Sequence, residues 1–243
     1  MPYTSLKILN CGRYSKAQKY LFPVLYGNQS SSNKHTSAGS KTALEQADIF
    51  ARASSRAIAK IRAYAFGNMN MYDTKPVLLT LTHRNNETNY KIANQHFKTF
   101  IQRFNYFLHF KLRYIAVSET QKRGSIHFHI IIFNLPFISG KIIEKIWTHG
   151  ATDIELANIK AVPYLTKYIS KDFKNNHYKG QRRYLHALDY KPILIRNQAY
   201  AMDAFKLLNS KDIINTFKFK IKNSENYVIN TEYIKNKEGS PSL

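Results

Sequence analysis

The sequence predicts an α+β fold: one antiparallel sheet with helices packed on it. Three observations predict it. β-Prone runs and amphipathic helical patterns follow one another in the order β-α-β-β-α-β-α between Val77 and Phe173. Two of the runs, Tyr114–Glu119 and Ile126–Phe133, are separated only by a turn through Gly124, as in an antiparallel hairpin. The second of these runs alternates His127 and His129 with Phe128, Ile130 and Ile132, so one of its faces is polar and the other is core.

Taken in order, the first 41 residues read as a loosely ordered extension, with Gly27 to Lys34 (GNQSSSNK) as a solvated loop. A helix is expected from Thr42 to about Phe66, its apolar stripe made by Leu44, Ala47, Ile49, Phe50, Ala57, Ile58 and Ile61. Arg52, Arg56, Lys60 and Arg62 form its polar face. Val77–Thr82 follows Pro76, where a strand begins well. Asn89 to Phe110 is a long amphipathic helix, with Phe97, Phe100, Ile101, Phe104 and Phe107 on its core face. The hairpin comes next, then a short helix over Gly140–Trp147 and a strand over Thr152–Ile159. A helix from Pro163 to about Phe173 closes the series, with proline in its favoured first turn. The domain reading is a core over 42–175, followed by a basic extension over 176–243 that packs on or continues it.

Charge narrows the partners. The 243 residues carry 37 Lys and Arg against 15 Asp and Glu, a net charge of +22 spread along the whole chain. Such a field repels itself in a compact state, and a polyanionic partner is the usual reason to keep it. With 17 Tyr and 15 Phe interleaved among the cations, the composition suits single-stranded nucleic acid, where phosphates meet cations and bases meet flat rings. A ribosomal-type structural binder has the same composition. The lone Cys11 excludes a disulfide framework and a four-cysteine zinc site, and fits a reducing cytoplasm. No apolar run has membrane-span length, and the first residues lack a secretory apolar segment. Gly39-Ser40-Lys41-Thr42 and Gly140-Lys141-Ile142 miss the spacing of a phosphate-binding loop, so no nucleotide-driven motor is expected.

Three pieces carry candidate chemistry. On a strand, His127 and His129 share one face with backbones ~6–7 Å apart, close enough for two rings to meet one ion. A bare pair of this kind can equally be two solvent-facing histidines. The preceding strand ends at Glu119, and the hairpin brings that carboxylate across from the pair. Two imidazoles and a carboxylate make a small divalent-metal site, for Mg2+ or Mn2+. His83 is the alternative third ligand. The third piece is Tyr164-Leu165-Thr166-Lys167-Tyr168-Ile169-Ser170-Lys171. Four residues apart on a helix, Tyr164 and Tyr168 lie on one face. Lys167 and Lys171 each follow a tyrosine by three residues and are expected to favour the phenolate, because a free phenol is a weak nucleophile. An aromatic and basic helix surface would have the same pattern.

In this order, the Leu79-Thr80-Leu81-Thr82 strand, the Glu119 to His127-Phe128-His129 hairpin and the Tyr164–Lys171 helix resemble the HUH endonucleases. More narrowly, the chain resembles the rolling-circle replication initiators of single-stranded DNA phages and plasmids that carry paired tyrosines. The resemblance covers about residues 42–175, and Trp147-Thr148-His149-Gly150 and Arg182-Arg183-Tyr184 also look like recurrent elements of the group. It implies a ferredoxin-like (RRM-like) nuclease fold with the histidine pair on a central strand. It also implies a metal at His127, His129 and Glu119, with Tyr164 and Tyr168 as nucleophiles that form a 5′-phosphotyrosine. Thr80, Thr82, Arg84, Lys122, Arg123, Arg182 and Arg183 are expected to face DNA. The helicase that many viral initiators append has no counterpart here, so a host helicase and polymerase are the expected partners. Two other readings stay open: an HUH relaxase or single-strand transposase, and a non-catalytic single-strand-binding module.

Overall fold

A computed structural model describes residues 3–25, 43–172, 184–221 and 224–235, with backbone alone at 43–47, 50 and 169–172. The chain forms two compact units, residues 1–49 with 191–243 and residues 50–190. Below they are unit 1 and unit 2. The architecture is α+β, with two antiparallel five-stranded sheets and helices packed on them.

Unit 2 holds the sheet that the sequence predicts. Its strands are β3 (Val77–Thr82), β4 (Tyr114–Thr120), β5 (Ile126–Ile132), β6 (Thr152–Leu156) and β7 (Tyr184–Ala187), in the spatial order β6-β3-β5-β4-β7. Strand β5, carrying the histidine pair, is therefore central. One face meets α2 (Tyr90–Leu108) and α3 (Gly140–Trp147), where Leu79, Leu81, Phe97, Phe100, Phe128, Ile130 and Trp147 form the core. Burying such side chains contributes ~1.5–3 kcal/mol each, which fixes the strand register because a one-residue slip would send the whole set to the other side. Helix α2 is capped by Asn89, whose side chain accepts from the amides of Lys91 and Ile92. Phe107, expected in its core face, is 47% exposed. Helix α4 (Ala161–Asp172) packs over β4 and β5, with Val162 and Leu165 buried. It starts two residues ahead of Pro163, which costs nothing because first-turn amides have no intrahelical partner. The expected strand over Thr152–Ile159 ends at Leu156, where Asn158 begins the turn into α4 by accepting from the Lys160 amide at 2.8 Å.

Unit 1 corrects the expectation of a loosely ordered N-terminus. Residues Tyr3–Cys11 form β1 and Tyr14–Leu25 form β2, joined by a two-residue turn with Gly12 at φ 54°. Glycine at the first position of such a turn matches the twist of the flanking strands. The expected extension over 176–243 divides between the two units among the described residues. Only β7 continues the unit 2 sheet, through register with β4. From Lys191 on, β8 (Ile193–Ile195), α5 (Gln198–Lys206), β9 (Ile213–Lys220) and β10 (Tyr227–Ile234) belong to unit 1. Its sheet has the order β8-β1-β2-β10-β9, and α5 packs on β1 around Leu6, Ile8, Ala17, Ala201 and Tyr233. Cys11 is buried there, and burial pushes its thiol up to about 12, so it is not a reactive thiolate.

Candidate active site

Strand register builds the site. Thr82 pairs with His127 and His127 with Glu119, so these three side chains form one row across β3, β5 and β4. The next row joins Thr80 to His129. Alternation puts both rows on the face covered by α4, opposite Phe128 and Ile130. His127, His129 and Glu119 are all buried.

Each imidazole is held at Nδ1. Thr82 Oγ1 lies 3.2 Å from His127 Nδ1, and Thr80 Oγ1 lies 3.2 Å from His129 Nδ1. A threonine hydroxyl can accept from a protonated Nδ1 or donate to a bare one; with the proton on Nδ1 the Nε2 lone pair is free for a ligand. The two threonines expected to face DNA thus have their hydroxyls turned to the histidines. The Gln121 Nε2, 3.1 Å from His127 Nδ1, can donate to that nitrogen in the tautomer that leaves it bare, and sequence reasoning missed it. Its signal was the alternation of the hairpin, since position 121 lies two beyond Glu119.

The Nε2 atoms differ. His129 Nε2 lies 2.9 Å from Glu119 Oε2, whereas His127 Nε2 is buried without a hydrogen-bond partner. An orphaned buried imidazole nitrogen is costly, and a cation beside the carboxylate would satisfy it. As the side chains stand, no three His, Cys, Asp or Glu groups among the described residues surround one metal-sized point. The residues nevertheless fit a divalent ion: two imidazoles and one carboxylate share a face, and one ring nitrogen lacks a partner. Burial above all, then His129 and Arg123, pushes His127 down to about 4, with Glu119 opposing, so this ring is neutral at pH 7 as a metal ligand must be.

His83, the alternative third ligand, points elsewhere. Its Nδ1 lies 2.8 Å from the Ile126 carbonyl oxygen and its Nε2 3.2 Å from His96 Nδ1 on α2. It sits edge-on to Trp147 on the core face, so the sheet separates it from the His127 row. The Trp147–Gly150 segment closes the end of β3. The Trp147 indole donates to the Thr82 carbonyl at 3.0 Å, and the Arg84 amide donates to that of His149 at 2.8 Å. A Cβ on Gly150 would come within 2.2 Å of the Thr82 carbonyl oxygen, so only glycine fits there.

Helix α4 brings both tyrosines to the histidines. The Tyr168 ring lies parallel to His129 with centroids 4.0 Å apart, and Tyr164 stands edge-on to both, 5.9 Å from His129 and 4.9 Å from Tyr168. Tyr164 is 42% exposed and Tyr168 half-buried. Burial first, then the hydrogen bond and charge of Tyr164, then Glu119, push the Tyr168 phenol well above its ordinary value. Lys167, which follows Tyr164 by three residues, is exposed, and the Lys171 side chain lies outside the described residues. Lys122 and Arg123 are exposed in the β4–β5 turn, and Arg84 is exposed just past β3. Arg182 and Arg183 lie outside the described residues.

A family model described as replication-associated protein ORF2/G2P matches residues 76–173, the stretch from the start of β3 through α4. The match supports a rolling-circle replication initiator family, and with it a DNA-binding role in replication. No curated protein and no solved structure matches the chain. No helix among the described residues is long and apolar enough to cross a membrane.

Proposed function

We propose that the chain starts rolling-circle replication as a metal-dependent, site-specific endonuclease and strand transferase acting on single-stranded DNA. One observation carries the proposal: His127, His129 and Glu119 share a sheet face, and two tyrosines of one helix pack directly on that face. His127, His129 and Glu119 would hold Mg2+ or Mn2+, which when bound polarises a phosphate oxygen and stabilises the charge that develops on it.

The remaining steps belong to the chain's own side chains. Thr80, Thr82 and Gln121 keep the imidazoles in place. Exposed Lys122 and Arg123 meet the phosphates beside the cut. A tyrosine Oη attacks the scissile phosphorus in line and gives up its proton. The bond from phosphorus to the 3′-oxygen breaks, and that oxygen leaves as a 3′-hydroxyl. The product is a 5′-phosphotyrosine and a primer end for a host polymerase, with a host helicase to open the duplex. One phosphodiester replaces another, so the reverse reaction seals DNA at the same site. Tyr164 is the more exposed of the two residues and is assigned the first attack. Tyr168 is then available for a second transfer while Tyr164 holds DNA.

Incubating an end-labelled oligonucleotide from the replication origin with Mn2+ tests this reading. The full chain should cut at one position, and EDTA, His127→Ala or His129→Ala should each abolish the cut while most DNA affinity remains. Equal loss of binding and cleavage in a folded His127→Ala protein would remove the metal role.

A further inference from the structure

Strand β9 of unit 1 is an edge strand, exposed over most of its length, and it alternates Phe217 and Phe219 with Lys218 and Lys220. The two phenyl rings lie on one face, 40% and 45% exposed, with centroids 6.2 Å apart and planes within 20° of parallel. Lysines on an edge strand guard it against pairing with another chain. Two exposed phenyl rings on the same strand work against that purpose, so protection alone does not explain the pattern.

Lysines outnumber acids around the edge. Strands β2, β9 and β10 carry Lys16, Lys19, Lys218 and Lys220, and their one acid is Glu232. Glu232 is buried, with its carboxylate taking the Tyr14 hydroxyl at 2.7 Å and the Asn215 amide at 3.2 Å, and it stands opposite Lys16. In the β9–β10 turn, Glu225 pairs with Lys220 at 3.1 Å. Lys218 Nζ rests 4.6 Å from the Tyr227 ring, and Lys19 lies in register with it through Ile229. Parallel exposed rings beside ammonium groups, Lys16 Nζ lying 5.3 Å from the Phe217 centroid and Lys218 and Lys220 alternating with the rings, suit a polyanion with flat aromatic groups, which describes a single polynucleotide strand.

We propose that the β9 edge is a second contact for single-stranded DNA, with bases stacked on Phe217 and Phe219 and phosphates held by Lys218 and Lys220. It lies outside residues 76–173. It rests on the replication reading only in naming the strand as DNA.

The test uses the full chain with Phe217→Trp, in EDTA so that no cleavage occurs. The sole native tryptophan, Trp147, is fully buried, so new emission reports position 217. Oligothymidylate should quench that emission and polyphosphate should not, because only the former carries bases. Adding Phe219→Ala should weaken the quenching titration by about 5- to 150-fold, the range for losing a base–aromatic stack. In the otherwise native chain, Lys218→Ala with Lys220→Ala should lower the salt slope of binding by about 1.4. Unquenched emission from a protein that still binds the oligonucleotide by anisotropy would overturn the proposal, as would equal quenching by polyphosphate. Tighter quenching by oligouridylate than by oligothymidylate would overturn DNA as the occupant. Phe219→Trp repeats the test from the neighbouring position. The two proposals fail separately: an unquenched chain that still nicks loses only this one, and a quenched chain that does not nick loses only the other.

Discussion

Thr82 and Thr80 bear directly on the proposed chemistry without touching the reacting atoms. Each hydroxyl sits 3.2 Å from the Nδ1 of a histidine, where it hydrogen-bonds the ring and fixes its orientation. Removing such an orienting group commonly costs ~10–100-fold in metal affinity. Thr82→Val should therefore raise the Mn2+ concentration for half-maximal nicking by about that factor, with metal-free DNA binding unchanged. A titration of nicking against Mn2+ checks this. Glu119→Gln should raise the metal requirement further, and His83→Gln should leave it unchanged, since His83 faces α2. Histidine burial also sets a pH dependence. His127 is pushed down to about 4, and His83 and His149 are shifted down too, all mainly by burial. Between about pH 6.5 and 4 the unfolded chain takes up protons that folded His127 refuses, so stability is lost as pH falls through that window. Urea midpoints measured across it should decline, and His127→Asn should flatten the decline.

At the scale of elements, the end of β3 depends on a segment 65 residues later, through the Trp147 indole on the Thr82 carbonyl. Gly150 packs against the same backbone, so the Cβ of Gly150→Ala has no side chain to push aside, only the Thr82 and Arg84 main chain. Overpacking of this kind costs ~1–3 kcal/mol and displaces Thr82. Urea unfolding should register the loss, and nicking should fall more than stability alone accounts for. The unit 2 elements from β3 to α4 were legible through local signatures: the Phe97–Phe104 stripe, the Gly124 turn, the alternation around His127 and the proline of α4; β7, which pairs with the distant β4, was not. Unit 1 was not. Strand β1 pairs with β8, and β2 pairs with β10 more than two hundred residues away, as in Tyr14 with Ile234. No local pattern announces such partners, although Leu6 and Ile8 alternate ahead of the Gly12 turn. In the site, periodicity put the two histidines on one strand face and the two tyrosines on one helix face, and only the resemblance joined the two. Gln121 and the threonine hydroxyls did not, because their roles depend on cross-strand register.

For the whole molecule, the charge of +22 predicts binding to any single strand, strongly weakened by salt, with sequence choice confined to the nicking site. In the proposed reaction a tyrosine of α4 becomes joined to DNA. The chain should be incubated with origin single strand and Mn2+, digested, and the adduct located by mass spectrometry. A 5′-phosphate is expected on Tyr164, on Tyr168 or divided between them. Tyr164→Phe and Tyr168→Phe should each keep some cleavage, and the double variant should form no adduct. An adduct on any other residue, or cleavage surviving in the folded double variant, would contradict that reaction.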